Sequence, residues 1–416
     1  MNNSKSISQK QTRKLAYKLR STSQSILRRG HRVHVCQKLA NYTVLNGAGD
    51  VGLSRSSSTG NAHFHGFAVC GDVHACPVCR NKIGEVRVNE ILSVLGWHRV
   101  FNDGIALLAT FTARHDKTDV LTDVVDCMSE AKRHFSSVAA VKNTKALLGY
   151  NNMISGRDLT HGHLNGWHPH YHDIWLIAGS AFKSSYFRQL SLKLQRFAIK
   201  NNLLTQGGAL SIVAIKSFLS KQWAQSCVKA GLKEPSESRG FDLLWRKDGS
   251  DAVGAYISKW ARELATSHKK QGKNGSRTPF QILNDLSNNF KHSDAKLWIE
   301  YTDAYYGKSM VFFGRGLKEA AGLKDVSDDE IAENQLSQHI CTFNREQYQA
   351  IILYSAYGTV LDIADNYPVQ MVFDYVNTLV ERRKKENVDY TIYMAHLKRS
   401  IRISTEQHLI ELGLVA

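Results

Sequence analysis

The sequence of 416 residues has no acidic residue before Asp50. A block of charge of one sign repels itself unless a counter-charge meets it. We therefore predict that residues 1–35 form a basic N-terminal arm that contacts nucleic acid, with a solvated tail that has no partner as the alternative. The formal net charge of +17 also favours a polyanionic partner. The basic residues of this acid-free stretch are Lys5, Lys10, Arg13, Lys14, Lys18, Arg20, Arg28, Arg29, Arg32 and Lys38.

A long apolar run is also absent. The longest one, near Ala350 to Leu361, is interrupted by Tyr, Ser, Gly and Thr, so it is too short and too mixed to span a bilayer. The N-terminus has no apolar segment of the kind found in secretory signals. We therefore expect a cytoplasmic protein without a membrane partner.

The seven cysteines cannot all pair, which argues for a reducing compartment and against a disulfide framework. Three of them are isolated, and the other four lie in one segment that contains a tight C-x-x-C knuckle, "CPVC". Two thiolates at this spacing can bind one Zn²⁺, and a closed structural site needs four ligands. We predict a structural zinc site, with three histidines as alternatives for its fourth ligand. The ligands would be Cys36, Cys70, Cys76 and Cys79, and the alternatives to Cys36 are His63, His65 and His74.

The segment "GWHPHYHDIWLI", residues 166–177, carries histidines at alternate positions and then turns apolar. Successive residues of a strand point to opposite faces, so His170 and His172 share one face. A polar strand edge that happens to be rich in histidine is one interpretation. The other, which we favour, is a site in which the two imidazoles hold one divalent ion.

A third ligand to such an ion would come from the preceding strand, "MISGRDLTHG". A hairpin turn near Asn165 would bring Asp158 opposite residue 172 or 173, and His161, His163 and His168 compete for the role. Two histidines and one carboxylate leave open positions for water or a phosphate oxygen. That arrangement suits Mg²⁺ or Mn²⁺ as a catalytic ion.

Further along, "GAYISKWARELA" places Tyr256 and Lys259 three residues apart, hence on one face of a predicted helix. A basic loop follows, and its residues are candidates for binding DNA: Lys269, Lys270, Lys273 and Arg277. Taken alone, a Tyr-x-x-Lys pair is more often a surface pair than a catalytic one.

The order of these motifs resembles the HUH endonuclease superfamily, and within it the single-tyrosine initiators of plasmid rolling-circle replication. "CPVC" precedes the core, "FT" ends the first strand, "GWHPHYH" is the second motif and "AYISK" the third. The stretch "LWIEYTDAYYGKSMVFFGRGL" also looks like one that follows the third motif in that family. The resemblance runs from about Cys36 to about residue 330.

This resemblance implies a ferredoxin-like antiparallel sheet with the two histidines on a central strand. It implies that Tyr256 attacks a DNA phosphate beside the ion, with Lys259 stabilising charge, and that a 5′-phosphotyrosine and a free 3′-OH result. The partners would be single-stranded or hairpin origin DNA, a host helicase and a polymerase, in a bacterial cytoplasm. Related initiators often keep a glutamate one turn before the tyrosine, whereas this chain has Ala252 there.

The mixture of hairpins and helices predicts an α+β fold with a central antiparallel sheet, an N-terminal zinc-binding segment and a mostly helical C-terminal region. The predicted domains are a basic arm (1–35), a zinc-binding segment (36–95), an HUH endonuclease domain (96–300) and a helical region (301–416). Two other functions remain open: an HUH transposase or relaxase with the same site, and a non-catalytic zinc protein that binds DNA.

Overall fold

The structure of the protein is a computed structural model. It describes residues 2–28, 30–45, 47, 49–57, 60–244, 275–333 and 337–393. Side chains are described from Thr12 onward, apart from those of residues 42 and 43. The described residues form a mixed α+β structure with antiparallel sheets, as predicted. They divide into two compact units: unit 1 comprises Met1–Ile83, Leu283–Ile299 and Val326–Ala416, and unit 2 comprises Gly84–Ile282 and Glu300–Asp325. The four-domain division of the sequence stays a prediction.

The strands of the described residues are β1 (Val51–Ser56), β2 (Ala62–His65), β3 (Gly104–Thr112), β4 (Asn152–Gly162), β5 (Gly166–Ala178), β6 (Phe241–Leu244), β7 (Val311–Phe313) and β8 (Ser337–Phe343). The α-helices are Asn2–Ile26, Tyr42–Leu45, Pro77–Phe101, Leu121–Ser137, Ala139–Leu147, Ser184–Gln189, Leu192–Lys200, Ile212–Lys229, Glu237–Gly240, Pro279–Asn288, His292–Ala304, Leu317–Ala320, Asp328–Glu333, Arg345–Leu353, Tyr357–Asn366 and Val369–Lys385. A 3₁₀-helix covers Arg32–Val35.

Unit 2 is built on a five-stranded sheet in the order β6-β3-β5-β4-β7, in which every neighbouring pair is antiparallel. The strand that carries the histidines, β5, lies in the middle and is paired along its length on both sides. β3, β4, β5 and β6 correspond to strands that the apolar or alternating pattern predicts in "GIALLATFTARH", "MISGRDLTHG", "HYHDIWLIAG" and "GFDLLW".

One face of this sheet forms the core of unit 2 against the helices Leu121–Ser137 and Ile212–Lys229. Phe111 of β3 contacts Trp223 edge-to-face, with ring centroids 5.0 Å apart, and Trp175 of β5 is fully buried in the same cluster. Alternation along β5 then turns the histidines at even positions to the other face of the sheet.

The sequence pattern predicts one continuous helix in each of the segments 119–141 and 184–202, but each segment contains two helices. The first breaks at Val138, whose backbone is extended, and resumes as Ala139–Leu147. The second breaks before Ser191, whose hydroxyl accepts the N–H of Leu194 as an N-cap. A serine inside an apolar repeat can end one helix and cap the next, since its side chain satisfies an otherwise unpaired backbone donor.

Unit 1 contains a three-stranded antiparallel sheet in the order β2-β1-β8. The stretch 46–61 is rich in Gly and Ser, a composition that predicts a loop, but this prediction is wrong for the strand Val51–Ser56. That strand pairs with β2 and also with β8, almost 300 residues further along the chain. Local propensity is overruled here by long-range pairing and by burial of Val51 and Leu53.

The described part of the basic arm is a helix, Asn2–Ile26, with a buried apolar side. Leu19 and Ile26 are at most 1% exposed. Arg13 forms ion pairs with Asp362 (2.8 Å) and Asp365 (2.7 Å), which both lie in the helix Tyr357–Asn366. This segment is therefore part of the packing of unit 1.

No described helix is both long enough and apolar enough to cross a membrane.

Behind the histidines, unit 2 buries an ion pair. Lys132 donates to the carboxylate of Asp173 at 2.7 Å, and Ser155 donates to the same carboxylate at 2.6 Å. Asp173 is only 2% exposed. A buried charge depends on its partner, because desolvation makes an unpaired one costly.

We predict that Asp173→Ala lowers the free energy of unfolding by about 3–5 kcal/mol, since it leaves the Lys132 ammonium buried without its counter-ion. The measurement is urea denaturation of the full chain. The matched control is Glu130→Ala, which breaks the exposed ion pair with Arg133 and should cost less than about 1 kcal/mol. Equal effects of the two substitutions would contradict the prediction.

Candidate functional site

The four clustered cysteines of the sequence come together in unit 1. The Cys36 sulfur lies 3.6 Å from that of Cys76 and 3.7 Å from that of Cys79, and the sulfurs of Cys70 and Cys79 are 3.6 Å apart. All four ligand atoms lie within 4.8 Å of one another, and all four residues are buried. The structure thus brings Cys36 to the fourth position, for which His63, His65 and His74 were alternatives.

These distances fit a tetrahedral metal ion. Sulfurs bound to Zn²⁺ at ~2.3 Å in a tetrahedron lie ~3.8 Å apart. Hydrogen bonds from the thiols of Cys70, Cys76 and Cys79 hold the pKa of Cys36 well below its usual value, whereas burial raises the pKa of Cys76. Since these buried thiols cannot all ionise without a cation, the cluster could hold a metal such as zinc.

The N-terminal helix is attached to this cluster by side chains from its last turns. Ser23 donates to the carbonyl of Ala75 at 2.7 Å, and Gln24 donates to the carbonyl of Cys36 at 3.2 Å. Arg20 is buried beside the stacked rings of Tyr17 and Tyr357, with its Cζ 4.9 and 4.4 Å from their centroids. The cluster therefore joins the helix and the C-x-x-C knuckle within unit 1.

In unit 2, His170 and His172 project from one face of β5, as the alternation predicted. Each is opposite a threonine of β3 and contacts it through its ring: Thr112 Oγ1 lies 3.0 Å from His170 Nδ1, and Thr110 Oγ1 lies 3.1 Å from His172 Nδ1. A hydroxyl oxygen can accept an Nδ1–H, which is the tautomer that keeps the lone pair on Nε2 for a cation. The two rings are nearly parallel, with an angle of 24° between their planes.

Asp158 lies beside this pair, but its register differs from the prediction. It is opposite His170, not residue 172 or 173, because the hairpin closes at Gly162 and Gly166 and leaves a three-residue turn. Its Oδ2 is still 4.0 Å from His172 Nε2. Two atoms that bind one ion at ~2.1 Å can be at most ~4.2 Å apart, so these two fit a shared cation.

Of the three competing histidines, the fold keeps only His168 beside the pair. His168 lies on the same face, with its ring centroid 4.2 Å from that of His170 and its Nδ1 2.5 Å from His115 Nε2. His161 is opposite Trp167 and contacts it edge-to-face, so it points to the other face of the sheet. His163 lies in the turn of the hairpin.

Burial favours the neutral form of two histidines on this face, His168 and His115. Desolvation, together with the charge of His115, lowers the pKa of His168 to about 4, and desolvation also lowers the pKa of His115. Both imidazoles are therefore neutral near pH 7, which is the form that binds metal ions. Within the part of the chain that the structure describes, only the cysteine cluster brings three or more His, Cys or carboxylate ligand atoms within 4.8 Å of one another. The ligand atoms of His170, His172 and Asp158 are therefore spaced more widely than the four sulfurs.

Most of the other predicted site residues lie outside the described residues: Tyr256, Lys259, Lys269, Lys270 and Lys273. Arg277 is described, and its backbone exchanges two hydrogen bonds with that of His161 near the end of β4, at 2.8 and 2.9 Å. The fold thus brings one candidate DNA-binding residue next to the hairpin that carries the histidines.

Sequence reasoning missed Thr110 and His115 at this face. Their signal was present: Thr110 and Thr112 alternate at the end of a predicted strand, and a third polar residue follows three positions later. Their partners could not be known without the β3–β5 register.

No protein-family model matches the sequence, and no solved structure matches it. The chain is 26% identical over 324 residues to a protein named "Protein rep" from Streptomyces lividans, a match that covers 66% of this chain and 68% of that protein. It is 29% identical over 151 residues to a "Neomycin resistance protein" from Streptomyces cyanogenus, which covers 30% of this chain and 33% of that protein.

We predict that Cys76→Ser abolishes metal retention and lowers the melting temperature by about 10 °C or more, because it removes one thiolate from a buried four-ligand set. Metal content by mass spectrometry and thermal unfolding of the full chain are the measurements. Cys127→Ser, at a partly exposed cysteine outside the cluster, is the control and should keep the metal. Retention of about one zinc per chain by the Cys76 variant would refute the prediction.

Proposed function

We propose that this protein initiates rolling-circle DNA replication by nicking and rejoining one strand at an origin, as an HUH-type single-strand endonuclease. The observation that carries the proposal is the pair of imidazoles on one face of a central strand, oriented by two threonines and flanked by a carboxylate. The relative named "Protein rep" supports a replication-related function. The net charge of +17 supports DNA as the partner.

His170, His172 and Asp158 would hold Mg²⁺ or Mn²⁺. When bound, such an ion supplies Lewis-acid polarisation of a scissile phosphate and helps to orient it for in-line attack. The cysteine cluster would hold Zn²⁺ in a purely structural role, because four thiolates leave no open position. In this proposal the catalytic ion belongs to unit 2, and the structural zinc belongs to unit 1.

The nucleophile in this proposal is Tyr256. Its hydroxyl oxygen forms a bond to phosphorus while the bond from phosphorus to the 3′ oxygen breaks, and the 3′ oxygen takes up a proton. The product is a 5′-phosphotyrosine with a free 3′-OH for a host polymerase. A phenol has a pKa near ~10, so its attack at neutral pH needs assistance, which we assign to Lys259.

The DNA would be held by Arg277 beside the hairpin and by Lys269, Lys270 and Lys273. Because attack by the 3′-OH on the phosphotyrosine reverses the reaction, the same residues serve nicking and joining. A host helicase would supply the single strand that the site cuts. Transposition or conjugation would use the same residues, and the DNA substrate, not the site, distinguishes these processes.

We predict that Tyr256→Phe eliminates the covalent protein–DNA adduct and changes the affinity for single-stranded origin DNA by less than about threefold, since one hydroxyl contributes little to binding that is dominated by phosphate contacts. Adducts are resolved on a denaturing gel after incubation with Mn²⁺. Tyr367→Phe, at an exposed tyrosine in unit 1, is the control and should form the adduct normally.

A second substitution, His170→Ala, separates the enzyme from a protein that only binds DNA. It should abolish metal-dependent nicking and leave DNA binding measurable. If neither the wild type nor the Tyr367 control forms an adduct with any origin oligonucleotide, the chain is better described as a non-catalytic zinc protein that binds DNA.

We further predict that Thr110→Val weakens Mn²⁺ binding by about 10- to 100-fold, because the His172 ring loses the oxygen that fixes its tautomer and orientation. Titration of Mn²⁺ followed by electron paramagnetic resonance is the measurement. Thr118→Val, at an exposed threonine outside the sheet, is the control. An unchanged Mn²⁺ affinity in the Thr110 variant would remove this threonine from the site.

A further inference from the structure

A cavity of about 410 Å³ lies on the face of the unit 2 sheet opposite the histidines. Residues of β4 and Tyr171 of β5 form its floor, the helix Leu121–Ser137 forms one wall, and the segment 309–312 forms another. It is distinct from the candidate catalytic site, since Tyr171 alternates with His170 and His172 along the strand. The lining residues are Ser129, Lys132, Arg133, Ser136, Met153, Ser155, Arg157, Tyr171, Ser309, Met310 and Phe312.

The lining combines three kinds of side chain. Three of these residues are cationic, four are serines, the remaining four are methionine or aromatic, and none is acidic. A positively charged cavity with hydroxyl groups and flat or flexible apolar walls suits a ligand that has an anionic group and an aromatic ring. A hydrophobic ligand alone would leave Arg157 without a counter-charge, since Lys132 pairs with Asp173 and Arg133 pairs with Glu130.

Arg157 is the cation best placed to meet an anion. Lys132 is already neutralised by Asp173, at 2.7 Å. The Arg157 guanidinium instead donates to the carbonyl of Ser309 at 3.3 Å, and its Cζ lies 5.7 Å from the centre of the Tyr171 ring. No residue of the described ranges forms an ion pair with Arg157. Its planar group can therefore take a phosphate without breaking an existing ion pair.

The apolar side of the cavity fits a base. Met153, Met310 and Phe312 line it together with the Tyr171 ring, whose hydroxyl is held by that of Ser129 at 2.8 Å. Aromatic rings stack on nucleobases regardless of sequence, and sulfur-containing side chains adapt to flat rings. The volume lies within the range of cavities that enclose small organic ligands and is far larger than a phosphate ion needs.

We infer that this cavity binds a nucleotide, with its phosphate at Arg157 and its base against Met310 and Phe312. The nucleotide is either free or part of a single-stranded DNA chain, because the same groups recognise both. The inference does not depend on the proposed nicking activity, since it concerns the opposite face of the sheet and requires no metal.

The test is calorimetric titration of the full chain, without added metal, with dAMP, adenosine, inorganic phosphate and a short oligodeoxyadenylate. dAMP should bind, and adenosine and phosphate should each bind at least about tenfold more weakly, because each lacks half of the recognised groups. Competition of the oligonucleotide with dAMP would identify the DNA strand as the source, whereas its absence would identify the free nucleotide.

Two variants locate the binding. Arg157→Gln should weaken dAMP binding at least about tenfold, and Arg157→Lys should restore part of it. Ser136→Trp adds a ring at the exposed rim, leaves the core untouched and should block the cavity. It provides the test if the Arg157→Gln protein fails to fold. Arg196→Gln, at an exposed arginine of the helix Leu192–Lys200, is the matched control.

Three results would overturn the inference: no binding of dAMP, phosphate binding as tightly as dAMP, or unchanged dAMP affinity in both the Arg157→Gln and Ser136→Trp proteins. Loss of nicking in the Tyr256 variant together with normal dAMP binding would support the cavity and the proposed function separately. Failure of every nicking assay would leave the dAMP result valid on its own.

Discussion

The pairing of β5 with β3 on one side and β4 on the other is the constraint on which unit 2 depends. Because side chains alternate, a slip of one residue would move Trp175 out of the core and the histidines into it. Trp175 is fully buried, so the free-energy cost of exposing it to water opposes such a slip. The residues that stabilise the core therefore also determine the face on which His170 and His172 lie, and Thr110 and Thr112 reach the imidazoles only in this register.

Unit 1 uses its basic residues differently from what their charge alone predicts. The acid-free N-terminal stretch meets counter-charge within the same unit: Arg13 and Lys14 pair with Asp362, and Arg13 also pairs with Asp365. Arg20 is buried and donates to Gln37. Part of the positive charge behind the net charge of +17 is thus committed to ion pairs within the fold.

The sequence was sufficient for whatever depends on local pattern. Alternation identified β4 and β5, and the C-x-x-C knuckle with two further cysteines identified the four-thiol cluster. It was insufficient where distant segments meet. β1 reads as a Gly- and Ser-rich loop, and only its partner β8 makes it a strand. The partner predicted for Asp158, residue 172 or 173, lies two or three positions beyond its observed partner His170. The three-residue turn that closes the hairpin sets this register, and turn length is poorly encoded by Asn165-Gly166 alone. His115 could not be assigned, since its contact with His168 joins the segment after β3 to the distant strand β5.

Along β5 the histidine face changes from polar to apolar. His168, His170 and His172 are followed on the same side by Ile174 and Leu176, both fully buried. The apolar half anchors the strand, and the polar half lies toward the end where the hairpin turns and where Arg277 pairs with His161. His172 is buried there, whereas His168 and His170 are half-buried. A rigid strand that ends in a loop region holds ligand atoms in place and leaves room for a large polymer to approach them. A site for a DNA phosphate needs both properties, whereas a structural metal site, of the kind that the buried thiol cluster of unit 1 could form, needs only the first.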